Sequence, residues 1–144
     1  MSKRIEVSIY INKPLDVVWD EVKVMKDHVN WMEDAINIDI LSDNSSGLNT
    51  KMNVLTKVGP ITLTDIITVT EWKEKESIGV VHEGIVTGKG VFYLTQIEEN
   101  KTKFQWVETL KFPFYLGGPI GEVFGGVILK YIWKKNLKNL KEII

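Results

Sequence analysis

The stretch from Phe112 to Ile144, FPFYLGGPIGEVFGGVILKYIWKKNLKNLKEII, decides the fold. It opens on an apolar segment broken by Pro and Gly and runs into one long helical pattern; a helix from Pro119 to Glu142 would be about 36 Å long. At about 100° per residue, Leu129, Ile132, Trp133, Leu137, Leu140 and Ile144 share one arc, with Lys130, Lys134, Lys138 and Lys141 on the other side. The second half is therefore a sheet-packing amphipathic helix. Continued backwards, the inward arc carries Gly121, Glu122, Gly125 and Gly126, so large side chains are missing where a helix would fill a core. That gap predicts a pocket. The opposite arc holds Ile120, Val123, Phe124, Val127 and Tyr131, facing away from the sheet toward loops, a partner, a lid or a membrane. A kink at Gly125-Gly126 is the alternative, and it would decouple the two registers.

Upstream, the chain reads as a sheet built to be covered by that helix. Ile5, Val7, Ile9 and Ile11 alternate with polar residues, the period of a half-buried strand. Pro14 at a first helical position, with Asp16 in the first turn, starts a short amphipathic helix burying Leu15, Val18, Trp19 and Val22. Asp27 to Glu33 reads as another helical turn or two, with Val29, Trp31 and Met32 available to pack. Ile36, Ile38 and Ile40 form the next strand, closed by the turn cluster from Ser42 to Gly47. Met52, Val54, Thr56 and Val58 follow. A fourth strand, Ile61 to Trp72, puts Ile61, Leu63, Asp65, Ile67 and Val69 on the core face. Ser77 to Glu83 and Lys89 to Glu98 are the fifth and sixth, and Glu99-Asn100-Lys101 is a tight turn. The seventh, Thr102 to Phe112, turns Phe104, Trp106, Glu108, Leu110 and Phe112 inward. One strand, two short helices, six strands and a long helix make an α+β domain with an antiparallel sheet curled around its last element.

The bulk numbers narrow the class. A chain of 144 residues, 44% hydrophobic and 26% charged, suits one domain, residues 1–144, with one core. Eighteen basic and nineteen acidic side chains leave a net charge of -1, with no overall pull on nucleic acid. Without cysteine there are no disulfides, thiolate nucleophiles or thiolate metal sites, which fits a cytoplasmic protein. Alternating residues at the N-terminus do not read as a signal peptide, and the apolar run Val123 to Trp133 is too short to span a bilayer.

The opening IEVSIYINKPLDVVWDEV, HVNW at His28 to Trp31, ITVTEW at Ile67 to Trp72, GKGVFYL at Gly88 to Leu94 and the terminal helix together resemble the START-like, helix-grip superfamily. Its members include polyketide cyclase/dehydrase-type proteins, pollen-allergen relatives and lipid-transfer domains. The resemblance covers essentially the whole chain and rests on the order of packing patterns, not on a catalytic signature. It implies a curved seven-stranded antiparallel sheet gripping the C-terminal helix around a hydrophobic cavity. It does not imply one activity.

Three carboxylates, Asp65, Glu108 and Glu122, fall on the inward side. Each is a candidate acid or base with a pKa raised by an apolar cavity, or else a structural group hydrogen-bonded in place. The ligand-contact candidates are Asp65, Trp106, Glu108, Gly121, Glu122 and Gly125. His82 shares a face with Ile78 and Val80, but its strand is too short to say which face is inward; His28 beside Trp31 reads as structural. Two histidines far apart give no metal site, no GxSxG elbow is present, and neither Gly88-Lys89-Gly90 nor the glycines from Gly117 to Gly121 have phosphate-loop spacing. The glycines instead suit sheet bending and close helix approach. No cofactor is expected.

The expected partner is a small hydrophobic ligand such as a lipid, isoprenoid or aromatic compound. A cyclase/dehydrase-like enzyme and a module that dimerises through the outer helix arc stand as alternatives, with monomer and homodimer both open. Membrane contact has only the lysine stripe and that outer arc behind it, and a solvated helix face explains the lysines as well. A ligand-sized void of roughly 300–1,000 Å³, at about 24 cal/mol per Å³, would cost on the order of 7–24 kcal/mol, against a total stability of about 5–15 kcal/mol. Any real pocket must be wetted, occupied or closed by movement of the Phe112 to Pro119 segment.

Overall fold

The computed structural model describes residues 2–113 and 118–144, the side chains of 118–120 and 122–124 excepted. Seven strands form one antiparallel sheet in the order β1-β7-β6-β5-β4-β3-β2. In the chain these are β1 (Lys3–Ile11), β2 (Ala35–Ile40), β3 (Lys51–Val58), β4 (Ile61–Lys73), β5 (Ser77–Gly84), β6 (Thr87–Glu98) and β7 (Lys101–Lys111). Helix α1 (Leu15–Val22) and a 3₁₀ turn, Met25–Asn30, sit between β1 and β2, and helix α2 runs Gly118–Ile143. Five successive hairpins lead from β2 to β7, and β1 then pairs with β7 from Lys3 opposite Leu110 to Ile11 opposite Thr102. The expected architecture is therefore present in full, and among the described residues no helix is long and apolar enough to cross a membrane.

The core lies between the concave face of the sheet, α1 and the second half of α2. Ile5, Val7 and Ile11 of β1, Val18, Trp19 and Val22 of α1, and Phe104, Trp106 and Leu110 of β7 are all buried. Trp133, Leu137 and Leu140 close it from α2. Trp31 makes edge-on contacts with Phe104 and Trp106, and Phe92 packs edge-on against Trp106, so the aromatic rings interlock at the base of the sheet. Such pairs contribute about 0.5–1.5 kcal/mol each beyond their buried area.

Three local expectations need correction. Pro14 is the N-cap in extended conformation, and the helix begins at Leu15, because the fixed proline φ serves the entry to the helix equally well. The turn after α1 begins at Met25 and is 3₁₀, which leaves Val29 exposed while His28 and Trp31 are buried. An irregularity between Ala35 and Asn37 in β2 turns Ala35 into the core and Ile36 out to solvent, breaking the simple alternation. Asn136, on the inward face of α2 among apolar residues, is completely buried. It accepts the Glu33 backbone N–H at 2.9 Å and donates to Asp34 Oδ1 at 2.7 Å, while Trp133 Nε1 donates to Asp34 Oδ2 at 3.2 Å. This clasp fixes α2 against the start of β2.

Candidate functional site

The inner faces of β3 to β7 are apolar at alternate positions because each strand buries one face, and α2 covers them. Between sheet and helix lies a cavity of about 380 Å³. Val54, Leu63, Ile67, Val80 and Leu110 line it from the sheet, and Gly121, Gly125, Leu129 and Trp133 line it from α2. Those four helical positions are four residues apart, so both halves of α2 present one register to the cavity. Among the described lining residues, only Ile61 and Ile128 are largely exposed, at 46% and 49%, which marks the mouth.

The glycines divide by role. A Cβ on Gly125 would meet the Phe112 ring, so this position lets the β7 exit pass under the helix. Gly126, placed on the cavity arc by helical periodicity, is instead packed against the aliphatic chain of Lys3, which a Cβ added there would approach to 2.9 Å, and serves close approach of α2 to β1. Val127 and Tyr131 are 67% and 73% exposed, as the outward arc requires. The side chains of Ile120, Glu122, Val123 and Phe124, and most of the Phe112 to Pro119 gate, lie outside the described residues.

One wall of the cavity is polar. Glu108 on β7 is buried, and both of its oxygens are engaged: Trp106 Nε1 donates to Oε1 at 3.0 Å, and His82 Nε2 lies 2.8 Å from Oε2. His82 is on β5, two strands away. It reaches Glu108 across β6 because the β6 residue directly opposite Glu108 is Gly90, where a Cβ would collide with the carboxylate. Asp65 on β4 lies opposite Gly84, where a Cβ would likewise collide with Oδ1. Glycines thus provide the room that the two acids need. Sequence spacing assigns Gly90 to sheet bending or helix approach; the side chain it admits is that of Glu108.

Asp65 has no hydrogen-bond donor among the described residues, and its Oδ1 is fully buried. Burial raises its pKa, the nearby Glu108 charge adds to the rise, and His82 opposes it. For His82, burial favours the neutral ring, but the charge and hydrogen bond of Glu108, together with Asp65, outweigh it and raise its pKa. Asp34 also lines the cavity; burial raises its pKa against the hydrogen bonds from Asn136 and Trp133. His28 is the opposite case. Fully buried beside Phe92, it is pushed down to about 4 by desolvation, and its Nε2 lies 2.7 Å from the Val22 carbonyl. A carbonyl only accepts, so His28 is neutral with its proton on Nε2.

Of the six sequence candidates, Asp65, Trp106, Glu108, Gly121 and Gly125 line one cavity, and the Glu122 side chain is not described. Trp106 stacks on Trp133 at 4.6 Å, so two indoles form one flat wall. Sequence reasoning missed His82 as a partner of Glu108, and Asp34 altogether. Among the described residues no three acidic or histidine side chains converge closely enough to hold a metal ion.

No protein-family model matches the sequence, and no curated protein matches it. Solved structures do. Protein TTHA0849 from Thermus thermophilus superposes with a TM-score of 0.80 at 14% identity, over 96% of this chain and 94% of that one. The ZhuI aromatase/cyclase from Streptomyces sp. R1128 gives 0.76 at 12% identity, over 99% and 93%. The di-domain aromatase/cyclase BexL, from the BE-7585A biosynthetic pathway, gives 0.75 at 13% identity, over 97% of this chain and 45% of that one. Strand order, the short helices after β1 and the long terminal helix agree with these likenesses: the chain has the START-like helix-grip fold.

Proposed function

We propose that the protein binds a small hydrophobic molecule between the sheet and α2. The observation that carries this reading is the cavity of about 380 Å³, apolar over most of its wall and flanked by the Trp106–Trp133 stack. A dry void of that size would cost roughly 9 kcal/mol at 24 cal/mol per Å³, comparable to the whole stability of a typical domain. Occupancy by an apolar ligand removes that cost. Native mass spectrometry of freshly purified protein tests the reading. The expected result is an adduct of a few hundred daltons that is lost on denaturation; a bare chain that also fails to take up an apolar dye would defeat it.

A second reading, proton transfer on a bound polyketide-like substrate, draws on the acid–histidine cluster and on the aromatase/cyclase neighbours. In it Asp65, whose carboxyl has no hydrogen-bond partner among the described residues, is the proton-moving group, and His82 with Glu108 sets the local charge. Titration of the carboxyl carbons by NMR tests it. An Asp65 that titrates at the ordinary aspartate value in free exchange with water removes its support.

A further inference from the structure

The polar wall has two groups left over once its internal bonds are counted. Each oxygen of Glu108 already has a donor, Trp106 for Oε1 and His82 for Oε2, and His82 spends Nε2 on that bond. What remains, among the described residues, is His82 Nδ1 without a partner and the carboxyl of Asp65 without a donor. Ile67 of β4 pairs directly with His82 of β5, and Asp65 lies two residues along β4 on the same face. The two groups are therefore diagonal neighbours, about 7–8 Å apart at the backbone, and both line the cavity. With Nε2–H given to the Glu108 carboxylate, Nδ1 carries a proton in the imidazolium, the form that Glu108 and Asp65 favour; there it donates and Asp65 accepts. A single group that does both satisfies the pair, and the smallest such group is a hydroxyl. A carbonyl would leave Asp65 without a donor. A carboxylate would enter a cavity already lined by Asp34, Asp65 and Glu108, with His82 as the one offsetting charge because His28 is neutral.

Resting on the ligand-binding reading above, we propose that the ligand is an apolar molecule bearing a neutral hydroxyl, phenolic or alcoholic, which donates to Asp65 and accepts from His82 Nδ1, and that the site rejects the corresponding carboxylic acid. The remainder of the cavity, walled by Trp106, Trp133, Leu63 and Val80, takes the apolar body. Glu108 acts as a positioning residue: its bond to Nε2 turns Nδ1 toward the ligand.

Equilibrium dialysis of the full chain at neutral pH with 2-naphthol, naphthalene and 2-naphthoate tests this. The naphthol is expected to bind at least tenfold more tightly than either of the others. Asp65→Leu is expected to remove the difference between naphthol and naphthalene, and to admit naphthoate. His82→Leu should likewise abolish the hydroxyl preference. Equal binding of naphthol and naphthalene by the unmodified chain, or a preference that survives both substitutions, overturns the hydroxyl assignment and leaves the hydrophobic cavity standing. Failure of all three probes to bind overturns the ligand-binding reading and this one with it.

Discussion

Gly90 lies directly opposite Glu108 in the β6–β7 ladder, and the Glu108 carboxylate occupies the space that any Cβ at Gly90 would need. The ion pair with His82 exists because this one position has no side chain. Gly90→Ala is expected to cost about 1–3 kcal/mol by overpacking, since the carboxylate it displaces is buried and held from two sides. In a Glu108→Ala background the same substitution should be nearly neutral. Urea unfolding of the four chains of this double-mutant cycle measures the coupling, and additive effects would mean that the two residues do not compete for space.

The two buried histidines give pH dependences on opposite sides of 6.5. His28 has its pKa lowered to about 4. Between pH 6.5 and 4 the unfolded chain binds a proton there that the native chain refuses, so stability falls as pH falls, by roughly 3 kcal/mol over the window. His82 has a raised pKa, so its contribution is complete below 6.5 and is lost as pH rises through the native value. Thermal unfolding from pH 4 to 9 should thus lose its acid-side slope in His28→Phe and its alkaline-side slope in Glu108→Gln. An unchanged acid limb in His28→Phe would contradict the assignment of His28 as neutral.

Asn136 ties together two groups, the Glu33 N–H and one oxygen of Asp34. Asn136→Ala is expected to lower stability by about 2–3 kcal/mol, the cost of stranding buried polar groups. Asn136→Asp should be worse at neutral pH, because it sets a second carboxylate beside Asp34, and should partly recover in acid. Denaturant midpoints at pH 7 and pH 5 check both parts.

Leu63 faces the cavity from β4 and is partly buried. Leu63→Trp fills space that the native chain leaves open, so ligand uptake should fall at least tenfold with stability unchanged or higher. Loss of stability together with unchanged uptake would place the ligand elsewhere.

Val127 is 67% exposed on the outer arc of α2. Val127→Glu is expected to shift stability by no more than about 0.5 kcal/mol, as for open surface, and to leave the sedimentation coefficient unchanged. A drop in sedimenting mass would instead identify this arc as a self-association face.

Much of this was legible in the sequence, for definable reasons. All seven strands were located, most clearly where period-2 alternation is unbroken: β7, flanked by strands on both sides and covered by a helix, alternates without a break from Thr102 to Leu110. The spacing of Gly121, Gly125, Leu129 and Trp133 named the helix face that lines the cavity. Pairing across strands was harder to read. Counting back from the turn at Glu99-Asn100 would put Gly90 opposite Thr109, but an irregularity between Gln96 and Glu98 shifts the register by one and brings Gly90 to Glu108 instead. Periodicity along one strand carries no information about such a bulge, so the Glu108–His82 pair, which spans three strands, could not be inferred. Asn136 and Asp34 escaped notice because each looks like an ordinary surface residue until its partner, about a hundred positions away, is in place.

The pairing of β1 with β7 sets a timetable for synthesis. From β2 to β7 every ladder joins neighbours along the chain, so these hairpins are able to form in turn as a nascent polypeptide emerges. The first strand has no such neighbour: Lys3 meets Leu110 and Ile11 meets Thr102. It must wait until the seventh has been made, and α2, which packs on β1, must wait longer still. On the ribosome the growing chain therefore carries an unpaired strand edge and an uncovered apolar sheet for most of its production, the condition in which aggregation competes with folding.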